Sequence, residues 1–120
     1  MILRLSTLML FFVISCASWQ KGNYIESGNA SWYGKQFHGR QTANGDKYNM
    51  FSMTAAHKTL PFNSQVKVVR RDNGNYVIVR INDRGPFIRG RVIDLSYEAA
   101  KALGIVDIGE AAVELYLINN

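Results

Sequence analysis

The sequence predicts a mainly β domain, closed as a six-stranded barrel and carrying one short helix. Three observations lead there. Apolar and polar residues alternate through two runs, 65–70 and 76–81, at the period of a half-buried strand. Asp72-Asn73-Gly74 between them is a hairpin turn. Only residues 96–103 carry helix signals at both ends. With a single cysteine the domain has no disulfide framework, so a small β structure must hide its strand edges, and closure does that.

The elements follow in order. Residues 29–33 form a short β-friendly segment between Gly28 and Gly34, and 34–49 read as a long loop containing Gly39 and Asn44-Gly45. A loop of that length in a small domain is usually functional. Residues 51–56 are apolar enough to enter the core. Val66 and Val68 point inward and Lys67 outward, while Val77, Val79 and Ile81 share one face and Tyr76, Ile78 and Arg80 the other. Arg70-Arg71 are expected at a solvated tip. Asn82-Asp83-Arg84-Gly85-Pro86 reads as a tight turn, and 92–95 as a short strand. In the helix Ser96 can cap the N-terminus, Glu98 and Lys101 complement the dipole, and Gly104 can stop it. Residues 112–118 close the chain as a strand with Val113, Leu115 and Leu117 on one side.

At 120 residues and 48% hydrophobic content, the chain is one ordered domain rather than a disordered segment. The formal charge of +5 leans toward anionic surroundings without naming a partner. No interior run approaches the ~20 apolar residues of a membrane span. The lone Cys16 excludes a cysteine zinc site, and His38 has no partner at metal-ligand spacing, so no metal and no cofactor are expected.

Residues 1–15 read as a secretory signal peptide: Arg4 starts it, and the apolar run 8–14 is too short to span a bilayer. Val13-Ile14-Ser15-Cys16 resembles a bacterial lipobox. That resemblance implies lipidation of Cys16, with palmitate among the acyl chains, and Ala17 after it points to the outer membrane, periplasmic face. The alternative is a plain leader with an incidental cysteine. Residues 16–27 are then the lipidated N-terminus and a tether, and 28–120 the barrel domain. Export of this kind disfavours nucleic acid as a partner, and the domain is expected to act as a monomer.

Four segments are specific: Ala30-Ser31-Trp32-Tyr33-Gly34; Gly39-Arg40-Gln41-Thr42-Ala43-Asn44-Gly45-Asp46; Thr54-Ala55-Ala56-His57-Lys58-Thr59-Leu60-Pro61-Phe62; and Val79-Arg80-Ile81-Asn82-Asp83-Arg84-Gly85-Pro86-Phe87 with Gly90-Arg91-Val92-Ile93-Asp94-Leu95-Ser96. In this order they resemble the rare lipoprotein A family over about residues 28–105. The resemblance implies a double-psi β-barrel and lytic transglycosylase activity on peptidoglycan. Such enzymes cleave MurNAc–GlcNAc bonds, leave 1,6-anhydro ends, and in characterised members favour strands stripped of stem peptides. It implies Asp83, His57 and Asp46 as catalytic positions; the family usually has Glu where this chain has Asp46. Many members carry a C-terminal SPOR domain that binds denuded septal glycan, and this chain is expected to lack it.

The chemistry can run on one carboxyl group, which protonates the leaving glycosidic oxygen and then takes the proton of the attacking C6 hydroxyl. A water-using glycosidase normally has two. Asp83 is the expected acid/base, with His57 orienting or tuning it and Asp46 raising its proton affinity by like-charge repulsion. The ordinary alternatives are a turn-capping Asp83, a satisfied core His57 and a turn-forming Asp46. Trp32 and Tyr33 face opposite sides of a strand. One enters the core, and Tyr33 is chosen as the sugar platform, with Phe37, Phe62 and Phe87 as core or loop anchors. Arg84 can orient substrate or turn to another acid, Asp94 being a candidate. Two other functions stay open: a hydrolase using Asp46 with Asp83, and a non-catalytic, expansin-like wall-binding barrel.

Overall fold

Strand β1 (Tyr24–Trp32) opens the barrel and is followed by a single 3-10 turn (Lys35–Phe37). Next come β2 (Thr54–Ala56), β3 (Gln65–Arg70), β4 (Tyr76–Asp83), β5 (Arg91–Leu95), helix α1 (Tyr97–Leu103) and β6 (Ala111–Ile118). The computed structural model describes residues 23–118. The leader and Cys16 lie outside them. The strands close in the order β1-β5-β2-β4-β3-β6, so no edge is left open.

The two parallel pairings define the architecture. β1 runs beside β5 and β2 beside β4, whereas every other neighbouring pair is antiparallel. Each parallel pairing skips one residue of the later strand. Asn29 pairs with Arg91 and Ala30 with Ile93, leaving out Val92; Ala55 pairs with Ile81 and Ala56 with Asp83, leaving out Asn82. Such an extra residue bends the strand and re-aims the side chains beyond it. Gly28 serves the first of these sites. A Cβ there would meet a Val92 methyl at 2.4 Å and the Gly90 carbonyl oxygen at 3.1 Å, so only glycine lets β1 approach β5 this closely.

The inward faces follow the sequence pattern. Val66, Val68, Val77, Val79, Ile81, Ile93, Leu95, Val113 and Leu115 form the barrel core, closed by Ala99, Ala100 and Leu103 of α1. Full burial of each large aliphatic side chain stabilises the fold by roughly 1.5–3 kcal/mol. α1 begins as expected: Ser96 Oγ accepts from the Ala99 N–H at 3.2 Å and donates to the Ser52 carbonyl at 2.6 Å. Gly104, at φ 82°, ends the helix in the left-handed conformation that favours glycine.

Four expectations are corrected. Residues 24–27 are not tether: they are the first half of β1, paired with β6. Their mixed polarity comes from lying on a strand with a half-open outer face. Of residues 51–56, Phe51 stays 64% exposed and the core is entered only from Met53 onward. Arg70 is not a solvated tip. It turns back to pair with Asp72 at 2.7 Å and donates to the Leu103 and Gly104 carbonyls, where free acceptors end α1. Residues 82–83 are not in a turn. They are the end of β4, beyond the point where the extra residue breaks the alternation.

Candidate active site

The displaced residue Asn82 brings Asp83 to a cavity of about 210 Å³. The cavity lies between the end of β4, the residue after β1, and the long loop after the 3-10 turn. Asp83 is the only acidic residue among the described residues lining it. Its Oδ1 accepts two backbone N–H bonds, from Ala43 and from Arg84, each at 2.9 Å. The first ties the loop to the strand, and together they fix the carboxyl plane. No described hydrogen bond reaches Oδ2. The Asp83 carbonyl accepts from the His57 N–H at 3.1 Å, which extends the β2–β4 pairing and locks the backbone behind the carboxyl group.

Aromatic rings make the wall opposite. Tyr33 and Tyr48 pack edge to face at 4.7 Å, and Phe37 meets Tyr33 at 6.2 Å. Arg40 lies over Phe37 at 5.5 Å and brings a cation to the rim. Tyr48 is the keystone: its hydroxyl accepts from the Tyr97 N–H at 3.0 Å and donates to the Tyr33 carbonyl at 3.4 Å. The start of α1 and the end of β1 are thereby tied to the loop. Tyr33, by contrast, has a buried hydroxyl with no hydrogen-bond partner. Burial, and then the nearby Asp83 charge, push its phenol far above the usual range, so it remains a proton donor. Trp32, the last residue of β1, packs on the core instead, and Tyr33 just past the strand lines the cavity.

Asp46 stands on the other flank of the loop. Residues 41–47 fold back on themselves, with Gln41 bridged to Lys47, and the Asn44 N–H donates to the Asn82 carbonyl at 3.3 Å. The Asp46 carboxylate accepts from the Asn44 amide at 3.1 Å and from both terminal nitrogens of Arg80 at 3.2 Å. The Asn44 hydrogen bond first, then Arg80, hold it below the usual carboxylate range. Its charge is thus matched by Arg80 and does not act on Asp83 from within the cavity. A carboxylate held low stabilises the fold above its unfolded pKa and loses that contribution as pH falls through the folded value. Thermal melts of wild type and Asp46→Asn are therefore expected to differ at neutral pH and to converge as the pH falls below the ordinary aspartate range.

His57 is buried and its ring is fully engaged. Nδ1 accepts the Thr59 and Leu60 N–H groups, each at 3.1 Å, which leaves the ring proton on Nε2 for Glu26 at 2.7 Å. Its side chain therefore reaches β1, while only its backbone touches Asp83. Arg84 also turns away from the cavity. It donates to the His57 carbonyl at 3.3 Å and lies over the Phe62 ring at 4.0 Å. Asp94, the expected partner of Arg84, pairs with Arg91 instead. His38 accepts from the Met50 N–H through Nδ1.

The structure thus brings Asp83 and Tyr33 together and places His57, Asp46 and Arg84 around them without entering the cavity. Arg40 and Thr42, both in a motif already singled out, line it and were not chosen as site residues. Tyr48 and Glu26 lie outside the four specific segments, and Arg80 lies in the last of them with no sign of its partner. Their roles come from pairings across 15 to 49 residues of chain.

A protein family described as "Lytic transglycolase" matches residues 25–115, which include the whole cavity. The chain belongs to this family. Among curated relatives, the endolytic peptidoglycan transglycosylase RlpA of Vibrio cholerae is 60% identical over 95 residues, covering 79% of this chain and 36% of the relative. RlpA of Pseudomonas aeruginosa (strain UCBPP-PA14) is 60% identical over 92 residues, 77% of this chain and 27% of the relative. The probable RlpA of Synechocystis is 57% identical over 94 residues, 78% and 29%. The chain therefore spans roughly a third of those relatives' length. A Streptomyces papain inhibitor superposes with TM-score 0.63 at 23% identity, covering 82% of this chain and 96% of the inhibitor. A Clavibacter michiganensis expansin in complex with cellohexaose gives 0.59 at 18%, covering 81% and 50%. At those identities they show the fold alone, a double-psi β-barrel.

Proposed function

We propose that the chain is a lytic transglycosylase that cleaves MurNAc–GlcNAc bonds of peptidoglycan glycan strands, stem-peptide-free ones by preference, and leaves 1,6-anhydroMurNAc ends. The observation that carries this reading is an aromatic-walled cavity holding one carboxyl group, Asp83, in a family of lytic transglycolases whose curated relatives are named peptidoglycan transglycosylases. One carboxyl group is enough for this reaction. Oδ2 of Asp83, the oxygen clear of backbone donors, gives its proton to the glycosidic oxygen as the C1–O bond breaks. The resulting carboxylate then takes the proton of the C6 hydroxyl as O6 bonds to C1, which closes the anhydro ring and restores the acid. No water is consumed. Tyr33 with Phe37 offers ring faces and edges to sugar C–H groups.

The geometry favours this over a two-carboxylate hydrolase, because Asp46 is turned to Arg80 on the far flank of the loop and is absent from the cavity lining. Incubation of the purified protein with intact sacculi and with amidase-stripped strands, read by mass spectrometry, separates the alternatives. Anhydro ends are expected; reducing ends would assign a hydrolase, and glycan pull-down without fragments an expansin-like binding barrel. Tyr33→Phe removes a hydroxyl that has no partner in the fold, so its thermal midpoint is expected to match or exceed wild type. Its turnover is expected to stay close to wild type, because the hydroxyl is buried and only the ring lines the cavity.

For location, the reading is a lipoprotein anchored through Cys16 to the outer membrane and facing the periplasm. Its support is the leader pattern of residues 1–16 alone. Incorporation of labelled palmitate that disappears in Cys16→Ser tests it. No helix among the described residues is long and apolar enough to cross a membrane.

A further inference from the structure

Most arginines among the described residues are engaged inside the fold. Arg70 pairs with Asp72, Arg80 with Asp46 and Arg91 with Asp94, and Arg84 donates to the His57 carbonyl. Arg40 is different. Its guanidinium has no described hydrogen bond or ion pair, and it lines the Asp83 cavity. Among the described residues lining that cavity it is the one cation, as Asp83 is the one acid.

The loop holds Arg40 in place without using its charge. Its N–H donates to the Phe37 carbonyl at 3.0 Å, and its own carbonyl accepts from the Tyr48 N–H at 2.7 Å. The backbone is therefore pinned from both sides. The guanidinium lies over the Phe37 ring at 5.5 Å, which covers one of its faces. The side chain is otherwise exposed, so its in-plane N–H groups are left to solvent at the rim. A planar cation held in this way suits a carboxylate, which it meets with two parallel hydrogen bonds.

A peptidoglycan strand offers such a group. Its muramic acid units carry a lactyl ether on C3. The lactyl carboxyl is a free anion in a stripped strand and a neutral amide where a stem peptide is attached. We propose that Arg40 reads this difference: its guanidinium binds the free lactyl carboxylate of the muramic acid unit whose C1 faces Asp83. The inference rests on the transglycosylase reading and adds to it the residue that chooses the strand. At about 210 Å³ the cavity is small, so a single sugar unit can meet Asp83 and the rim cation together. An attached peptide removes the charge and adds bulk at the same point.

The test uses two ligands that differ in one group: amidase-stripped strands, and the same strands with each lactyl carboxyl coupled to methylamine. Retention on the immobilised chain measures binding, and release of anhydro-ended fragments at low substrate measures kcat/KM. Wild type is expected to favour the free acid about fivefold in both, as suits a partly exposed charge pair with two hydrogen bonds. The preference is expected to shrink from about 0.05 M to about 0.5 M salt as the screening length falls. Arg40→Gln is expected to treat both strands alike, by losing on the acid. Arg40→Lys is expected to keep a reduced, salt-sensitive preference, and Arg71→Gln, which removes an equal charge outside the cavity lining, to keep all of it. Equal handling of the two strands by wild type, a preference that survives in Arg40→Gln, or the same loss in Arg71→Gln would overturn the assignment. The wild-type and Arg40→Lys arms decide the matter even if Arg40→Gln fails to fold. Anhydro fragments released equally from both strands would remove the role of Arg40 alone. A binding preference that Arg40→Gln abolishes, with no fragments from wild type, would remove the transglycosylase reading alone.

Discussion

Asp83→Asn is expected to abolish measurable release of anhydro-ended fragments while leaving the fold and glycan binding in place. The substitution keeps an oxygen at the Oδ1 position, so the Ala43 and Arg84 N–H groups retain their acceptor and the loop stays tied to β4. What is lost is the ability of the second oxygen to give and take a proton. Removing a general acid/base lowers a rate by about 10²–10⁴. In the proposed mechanism the same group serves both half-reactions, and no second carboxyl group among the described residues lines the cavity to substitute for it, so the upper end of that range is expected. The measurement is fragment release from amidase-stripped strands, beside a thermal melt and a glycan pull-down. Wild-type rates in the variant would remove Asp83 from the chemistry. A lost melt transition would instead mean that the carboxylate is structural, and Asp83→Ser, which cannot titrate but can accept one N–H bond, would then show whether folding and turnover separate.

The largest stability effect is expected from His57→Ala. The ring is 2% exposed and satisfies three groups at once: two backbone N–H donors of the turn that follows β2, and the Glu26 carboxylate of β1. Alanine leaves both N–H groups without an acceptor, opens a void and strands Glu26, a loss of about 2–4 kcal/mol. In a domain near 100 residues that lowers the thermal midpoint by more than about 10 °C. Glu26→Gln keeps an acceptor for Nε2–H and is expected to lose much less. These two variants also assign the role of His57. Its ring nitrogens are occupied by Glu26 of β1 and by the turn after β2, so it is expected to act as a positioning residue for the backbone behind Asp83. An unchanged melt with abolished product would show that it takes part in the chemistry directly.

How much of this was legible beforehand follows from how far each interaction reaches along the chain. The alternation of Val77, Val79 and Ile81 predicted β4 because a half-buried strand has period two. The same rule failed two residues later. Asn82 is an extra residue in the pairing with β2, and a local pattern cannot reveal a skip that is defined by another strand. Hence residues 82–83 read as a turn, although they are the strand end that carries the site. Residues 24–27 read as tether for a related reason. Their polarity suits an exposed linker equally well, and only β6 beside them makes them a strand. Asp83, Tyr33 and the loop were found through motifs of consecutive residues. Arg40, Thr42 and Arg80 lay within those motifs, whereas Glu26 and Tyr48 had no such sign.

The sequence by itself determined the β class, the single capped helix, the family and the identity of the carboxyl group at the site, because these rest on contiguous runs and on residue chemistry. Tertiary structure alone decided which polar groups meet. It set His57 on Glu26, Asp46 on Arg80 and Arg84 on Phe62, leaving one carboxyl group in the cavity where three polar candidates had been expected to cooperate. Charge pairing and hydrogen bonding act over a few ångströms in space, and barrel closure brings together residues 22 to 34 positions apart whose proximity no local pattern encodes.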